Sequence, residues 1–219
     1  MTWTIPNILT VFRLVSAPMV LLSFVILPRP VADWAALVLF VGASVTDWID
    51  GKLARAWDQQ TKLGTMLDPI ADKAMVVVAL AALVGLMGLA PLLVIPAAVI
   101  LLREVFVSGL REFLGDTAGT LKVTKLAKWK TTIQMIAISV LMAFGGLVSG
   151  IEALTAGMDS ATAAAVIEGA EEDLFGLRWK SIAATICLNG GFVLLWIAAA
   201  LTAITGWDYF NKARPYLKD

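Results

Sequence analysis

Four aspartates, Asp47, Asp50, Asp68 and Asp72, fall within 26 residues of an otherwise apolar stretch of chain. Asp47, Asp50, Gly51 and Ala54 stand at i, i+3, i+4 and i+7, which is one face of a helix. Asp68 and Asp72, at i and i+4, share a face of the next helix. An antiparallel hairpin of the two would bring all four carboxylates to one end. Like charges in a partly dehydrated site repel strongly, so they coexist only with cations or protons. Oxygen-only ligands favour a hard ion, Mg²⁺ or Mn²⁺ first and Ca²⁺ next. Gly51 and Gly64 leave backbone that a phosphate or a base can approach closely. Arg55, always charged and forked, suits an oxyanion. Singly, these residues are a cap, a packing glycine and a basic anchor; their joint spacing is what points to chemistry on a phosphate ester held by a divalent metal.

The elements that position these residues are membrane helices. The chain is 59% hydrophobic over 219 residues, against roughly 45–50% in an average soluble domain, and its mean hydropathy is +0.85. Six apolar segments, near residues 7–27, 31–56, 68–89, 91–114, 125–150 and 179–207, are each long enough to cross about 30 Å of hydrocarbon. The expected fold is an all-α membrane protein of six transmembrane helices, a single domain over residues 1–219. Residues 1–7 carry no charged side chain, so the first segment reads as a retained helix rather than a cleaved signal. Lys and Arg concentrate in the second and fourth connections and the C-terminal tail, eleven against three on the opposite side. That asymmetry places both termini and the aspartates in the cytoplasm.

Composition also excludes chemistry. The chain has no histidine, so carboxylates must carry any acid–base work. Cys187 is the lone cysteine, which rules out an intramolecular disulfide and a cysteine zinc cluster and leaves a packing role. Seventeen basic and seventeen acidic residues balance, so total charge indicates no nucleic-acid partner. The connection over residues 151–176 holds six acidic residues and no basic one until Arg178; it reads as a solvated loop with a short surface helix over 160–170. Gly146 and Gly150 have the small-xxx-small spacing of close helix contacts.

The run from Asp47 to Asp72 resembles, without a departure, the signature of the CDP-alcohol phosphotransferase family, Asp-x2-Asp-Gly-x2-Ala-Arg-x8-Gly-x3-Asp-x3-Asp. The resemblance implies that Asp47, Asp50 and Asp68 are metal ligands around a CDP pyrophosphate, and that Asp72 is a metal ligand or the base that deprotonates the acceptor alcohol. It assigns CDP-diacylglycerol contacts to Gly51, Arg55 and Gly64, with Thr61 beside them, and implies a six-helix homodimer. The opening Ile5-Pro6-Asn7-Ile8-Leu9-Thr10 with Arg13, the pair Arg103-Glu104 followed by Leu110-Arg111-Glu112, and the run Lys125 to Lys130 leading into Thr131-Thr132-Ile133-Gln134-Met135 resemble the bacterial phosphatidylglycerophosphate synthase branch of that family. That branch implies transfer of a phosphatidyl group from CDP-diacylglycerol to glycerol 3-phosphate at the bacterial inner membrane.

Physical chemistry supports the same acceptor. Glycerol 3-phosphate is a dianion, so its site needs fixed cations beside carboxylates that would otherwise repel it. Arg103 and Arg111 are eight residues apart on one helix, roughly 12 Å along its axis, and Lys125, Lys128 and Lys130 begin the next. These are the candidate glycerol-phosphate contacts; lipid headgroups are the ordinary partners of such lysines. Asn7, Thr10 and Arg13 form a polar stripe that meets either the nucleotide or neighbouring helices. Two rival readings remain at this stage: a sister enzyme that accepts inositol phosphate, serine or phosphatidylglycerol, and a cation transporter, which would place its acidic residues near the bilayer midplane.

Overall fold

The structure, a computed structural model, describes residues 4–56, 61–115, 117 and 125–217; the side chains at 48, 50–56, 125, 127 and 128 lie outside the described set. The described residues form seven helices and no strand: α1 (Ile5–Ile26), α2 (Val31–Ala56), α3 (Lys62–Met87), α4 (Pro91–Leu114), α5 (Lys125–Thr155), the short α6 (Ser160–Glu168) and α7 (Leu177–Ala213), which runs into a 3-10 turn at Arg214–Leu217. Five of them, α1, α3, α4, α5 and α7, are long and apolar enough among the described residues to cross a bilayer.

Burial is inverted relative to a water-soluble fold. Val38, Leu102, Val105 and Ile186 are exposed, while Asn7, Thr10, Arg13 and Gln134 are buried. An apolar outside around a polar inside suits a lipid surround. This is a multi-pass membrane architecture.

Side-chain contacts fix the directions of the long helices. Arg13 meets Asp47, so α1 and α2 form an antiparallel hairpin. Thr61 meets Asn7 and Asp68 meets Thr10, which sets α3 parallel to α1. Asp33 and Ser44 of α2 meet Ser149 and Met135 of α5, an antiparallel pair. The indole Nε1 of Trp196 donates to the Leu92 carbonyl (3.0 Å), and Tyr209 and Ala213 pack on Val107, Leu110 and Leu114, so α7 runs parallel to α4. The start of α3, the end of α4, the start of α5 and the end of α7 therefore gather at the end of the bundle where α2 carries Asp47. Between them runs a core of small and medium apolar residues that includes Phe40, Met75, Leu80, Ile100, Ile138 and Leu195.

Three expectations about segments change. The third helix begins at Lys62 and not at Asp68, because Thr61 is extended and its hydroxyl accepts from the Gly64 amide (3.0 Å), a side-chain cap. Asp68 and Asp72 therefore sit about two and three turns inside the helix. The last helix continues past residue 207 because Tyr209 and Ala213 are buried against α4. The glycine pair on α5 is not a backbone contact: a side-chain carbon at Gly146 would lie 2.9 Å from the Trp34 indole, whereas Gly150 has nothing within 4 Å. Gly146 is a seat for Trp34. The short surface helix is present as α6, capped by Asp159 at its start and ended at Gly169, whose φ of +92° favours glycine. Cys187 is free and half-buried.

Candidate functional site

The polar stripe on α1 turns inward. Arg13, with only 2% of its side chain exposed, donates through Nη1 to Asp47 Oδ1 (2.5 Å) and also to Asp72 Oδ1. Thr10 Oγ1 donates to Asp68 Oδ1 (2.7 Å), and the Thr61 hydroxyl donates to Asn7 Oδ1 (2.8 Å). One face of α1 thus collects the last turns of α2 and the first turns of α3. Burying a guanidinium in a membrane protein is costly unless it is paired, and here two carboxylates pair it. The carboxylates themselves are about half exposed, 46% for Asp47 and 49% for Asp72. Arg13 is the floor of the acidic site, and the open sides of the aspartates face away from it.

Loss of that floor should be visible in stability. Arg13→Gln in metal-free protein is expected to cost on the order of 1–3 kcal/mol, less than the roughly 3–5 kcal/mol of a fully buried broken pair because solvent screens half-exposed carboxylates. Thermal unfolding in detergent followed by tryptophan fluorescence checks this; an unchanged Tm would remove Arg13 from the architecture of the site.

Beside the aspartates opens a cleft of about 370 Å³ whose walls come from α3, α4, α5 and α7. Asp68, Asp72 and Lys73 line one side; Arg103, Glu104 and Arg111 come from α4, Lys130 and Gln134 from α5, and Thr205, Asp208 and Tyr209 from α7. Glu104 Oε1 accepts from Lys130 Nζ (2.5 Å) and from Arg103 Nη1 (3.2 Å). One carboxylate therefore holds two cations together, leaving the cluster with net positive charge. Arg103 reaches this position because Gly206 of α7 gives it room: a side-chain carbon at Gly206 would lie 2.9 Å from Arg103 Cγ. Three buried polar atoms of the cleft residues have no hydrogen-bond partner, namely Arg103 Nε, Gln134 Oε1 and Tyr209 Oη. Unpaired buried polar atoms are rare in folded proteins, so their convergence on one cleft marks a place built for a polar ligand.

The sequence model of the CDP-alcohol phosphatidyltransferase family matches residues 3–167 of the chain. The chain belongs to the CDP-alcohol phosphatidyltransferase family. Among its relatives, one from Cereibacter sphaeroides is 55% identical over 100% of this chain and 99% of its own length. One from Pectobacterium atrosepticum is 42% identical over 98% and 97%, and one from Rickettsia bellii is 37% identical over 97% and 96%. Each of these three carries the name CDP-diacylglycerol--glycerol-3-phosphate 3-phosphatidyltransferase.

Within this phosphatidyltransferase-family site, the structure brings together Asp47, Asp68 and Asp72 at the acidic end, and Arg103 and Arg111 in the adjoining cleft. The side chains of Asp50, Arg55, Lys125 and Lys128, together with any contact at Gly51, lie outside the described set. Thr61 is engaged as the α3 cap and with Asn7, and the space beside Gly64 is filled by the Asn7 amide, 2.8 Å from where a side-chain carbon would stand. The polar stripe of α1 therefore hydrogen-bonds its neighbouring helices.

Sequence reasoning missed several cleft residues. Lys130, which the sequence offers with Lys125 and Lys128 as a phosphate contact, is the one of the three whose described side chain is buried at the cleft. The available signal was Glu104, an acid inside an apolar span that requires a partner. Gln134 and Tyr209 gave no such signal.

Proposed function

We propose that the protein transfers the phosphatidyl group of CDP-diacylglycerol to glycerol 3-phosphate, giving phosphatidylglycerophosphate and CMP. The observation that carries this reading is the single cleft in which Asp68 and Asp72 stand beside Arg103, Lys130 and Arg111. An acceptor that is both an alcohol and a phosphate needs that pairing: a carboxylate for the hydroxyl and cations for the dianion. Serine, a zwitterion, and phosphatidylglycerol, a lipid, have less use for so compact a cationic pocket. The names of the full-length relatives support the same substrates.

The donor set suits a divalent metal. Its oxygens are all carboxylate, and Arg13 offsets only part of the charge of Asp47 and Asp72, which leaves a role for a hard cation. Among the described residues no three acidic side chains are already gathered tightly enough to hold an ion. In this reading Asp47, Asp68 and Asp72, with Asp50 of the same motif, hold Mg²⁺ or Mn²⁺. Held there, the ion would supply Lewis-acid polarisation of the pyrophosphate and positive charge to offset the negative charge leaving with CMP.

The protein's own groups then perform the following steps. Arg103 and Lys130 fix the acceptor phosphate, and Glu104 keeps the two cations in register. Asp72 takes the proton of the 1-hydroxyl as that oxygen forms its bond to the lipid-side phosphorus. The bond from that phosphorus to the CMP oxygen breaks, and CMP departs with the electron pair. With no histidine in the chain, a direct single displacement is the simplest course; trapping of a covalent phosphatidyl-enzyme would contradict it.

The membrane placement belongs to the same reading. α2 is the sixth span, and the positive-charge asymmetry of the connections sets both termini and the cleft on the cytoplasmic side of a bacterial inner membrane. The chain forms one domain and, as the family resemblance implies, a homodimer. The direct test incubates purified protein in detergent with CDP-diacylglycerol and Mg²⁺ and offers glycerol 3-phosphate, inositol phosphate, serine and phosphatidylglycerol separately. CMP release is expected with glycerol 3-phosphate alone. Release driven by another alcohol at equal or greater rate would assign the protein to a sister activity.

A further inference from the structure

We infer that Gln134 of α5 and Tyr209 of α7 recognise the central hydroxyl of the acceptor, and that this wall of the cleft sets which alcohol phosphate is accepted. The inference rests on the acceptor reading given above and extends it to groups outside the aspartate motif. Gln134 is 2% exposed and Tyr209 8% exposed, and Gln134 Oε1 and Tyr209 Oη both lack a protein partner although they belong to residues lining the cleft. A buried glutamine oxygen and a buried tyrosine hydroxyl, each unpartnered and each on a residue of the cavity wall, are complementary to one ligand hydroxyl, which would donate to the glutamine oxygen and accept from the tyrosine O–H once the side chains turn to it.

Position along the helices points to that hydroxyl rather than to the phosphate or the attacking oxygen. Lys130 and Gln134 are i and i+4 on α5, so they share a face and lie about 6 Å apart along the axis. With the phosphate on Lys130 and Arg103 and the 1-hydroxyl on Asp72, the group between them falls to the remaining wall. Glu104 already occupies Lys130 and Arg103 in part, and Thr205 spends its hydroxyl on the carbonyls of Leu201 and Thr202. Among the uncharged polar residues described on the cleft wall, Gln134 and Tyr209 are the two with a buried unpartnered atom. Tyr209 lies beyond residues 3–167, the segment matched by the family model, and Gln134 lies within it. A site built to hydrogen-bond a substrate hydroxyl rejects the analogue that lacks it, because its own buried groups are then unpaired.

The test compares glycerol 3-phosphate with 3-hydroxypropyl phosphate, which keeps the attacking hydroxyl and the phosphate and lacks the central hydroxyl. Wild-type protein, CDP-diacylglycerol and Mg²⁺ are used, with CMP release as the readout. Wild type is expected to prefer glycerol 3-phosphate by about 100-fold or more in kcat/KM. Gln134→Met and Tyr209→Phe, both close in volume to the native residues, are each expected to narrow that ratio by about tenfold, losing rate with glycerol 3-phosphate and little with the analogue. KM for CDP-diacylglycerol should stay within about twofold in both variants. A merely structural role would lower both acceptors equally, so an unchanged ratio in the two variants overturns the inference, as does a wild type indifferent to the central hydroxyl. Should one variant fail to fold, the ratio in the other decides. Wild type that turns over neither phosphate would overturn the acceptor reading itself, a result distinct from an unchanged ratio.

Discussion

Asp72→Asn is expected to lower kcat for CMP release by about 10³-fold while CDP-diacylglycerol still binds, the loss assigned to a positioned general base falling in the range of 10²–10⁴. The substitution keeps the shape of the side chain and an oxygen that can accept from Arg13, so the α1–α3 packing has no reason to fail. What it removes is the place for the proton, together with one carboxylate charge from the set that would hold the ion. Asp72 lies on the cleft beside the cations that would hold the acceptor, about one turn beyond Asp68 on the same face of α3. That position separates it from Asp47, which belongs to the acidic end and does not line the cleft. Equilibrium binding of CDP-diacylglycerol by the variant, measured beside turnover, distinguishes loss of the base from loss of the donor site. Turnover within a few-fold of wild type would take Asp72 out of the reaction.

The second large effect belongs to Arg103. Its guanidinium lies within an apolar helix, its Nε has no partner, and Gly206 makes room for its stem. A cation placed at such cost is expected to interact with the dianionic acceptor, and a charge-assisted hydrogen bond lost from a partly buried site is worth roughly 2–5 kcal/mol. Arg103→Ala should therefore raise KM for glycerol 3-phosphate by about 100-fold and leave KM for CDP-diacylglycerol nearly unchanged. The variant also frees Glu104 from one of its two cations while Lys130 remains to pair it, which limits collateral unfolding. Equal effects on both substrates would mean that Arg103 supports the fold and not the acceptor.

How much of this was legible beforehand follows from the range over which each signal acts. The acidic end was readable because its spacing is local: i, i+3 and i+4 relations put Asp47 and Asp72 on defined helix faces, and a short connection returns α3 to the end of the bundle that α2 reaches, where α1 bridges the two through Arg13. Apolar run length located the helices, but it could not see that Thr61 caps α3 or that Tyr209 and Ala213 bury the end of α7, because a cap and a packed terminus depend on single contacts. The role of Arg13 was half visible. A polar stripe on a membrane helix must be satisfied, yet whether by nucleotide or by neighbouring helices depends on the rotation of α1, which places Thr10 on Asp68 and Arg13 on Asp47 and Asp72. Least legible was the far wall of the cleft. Gln134 and Tyr209 stand on helices joined by a long connection, and only tertiary packing of α7 on α4 and α5 brings them together.

The central claim is that one cleft holds the acceptor phosphate on Arg103 and Lys130 immediately beside aspartates that hold a divalent ion. Crystals of the protein soaked with Mn²⁺ and glycerol 3-phosphate, measured at the manganese absorption edge, test it most directly. The account predicts an anomalous peak against Asp47, Asp68 and Asp72 and phosphate density against Arg103 and Lys130, with the 1-hydroxyl directed at Asp72. Manganese bound away from those aspartates, or the phosphate bound outside the cleft, would contradict it.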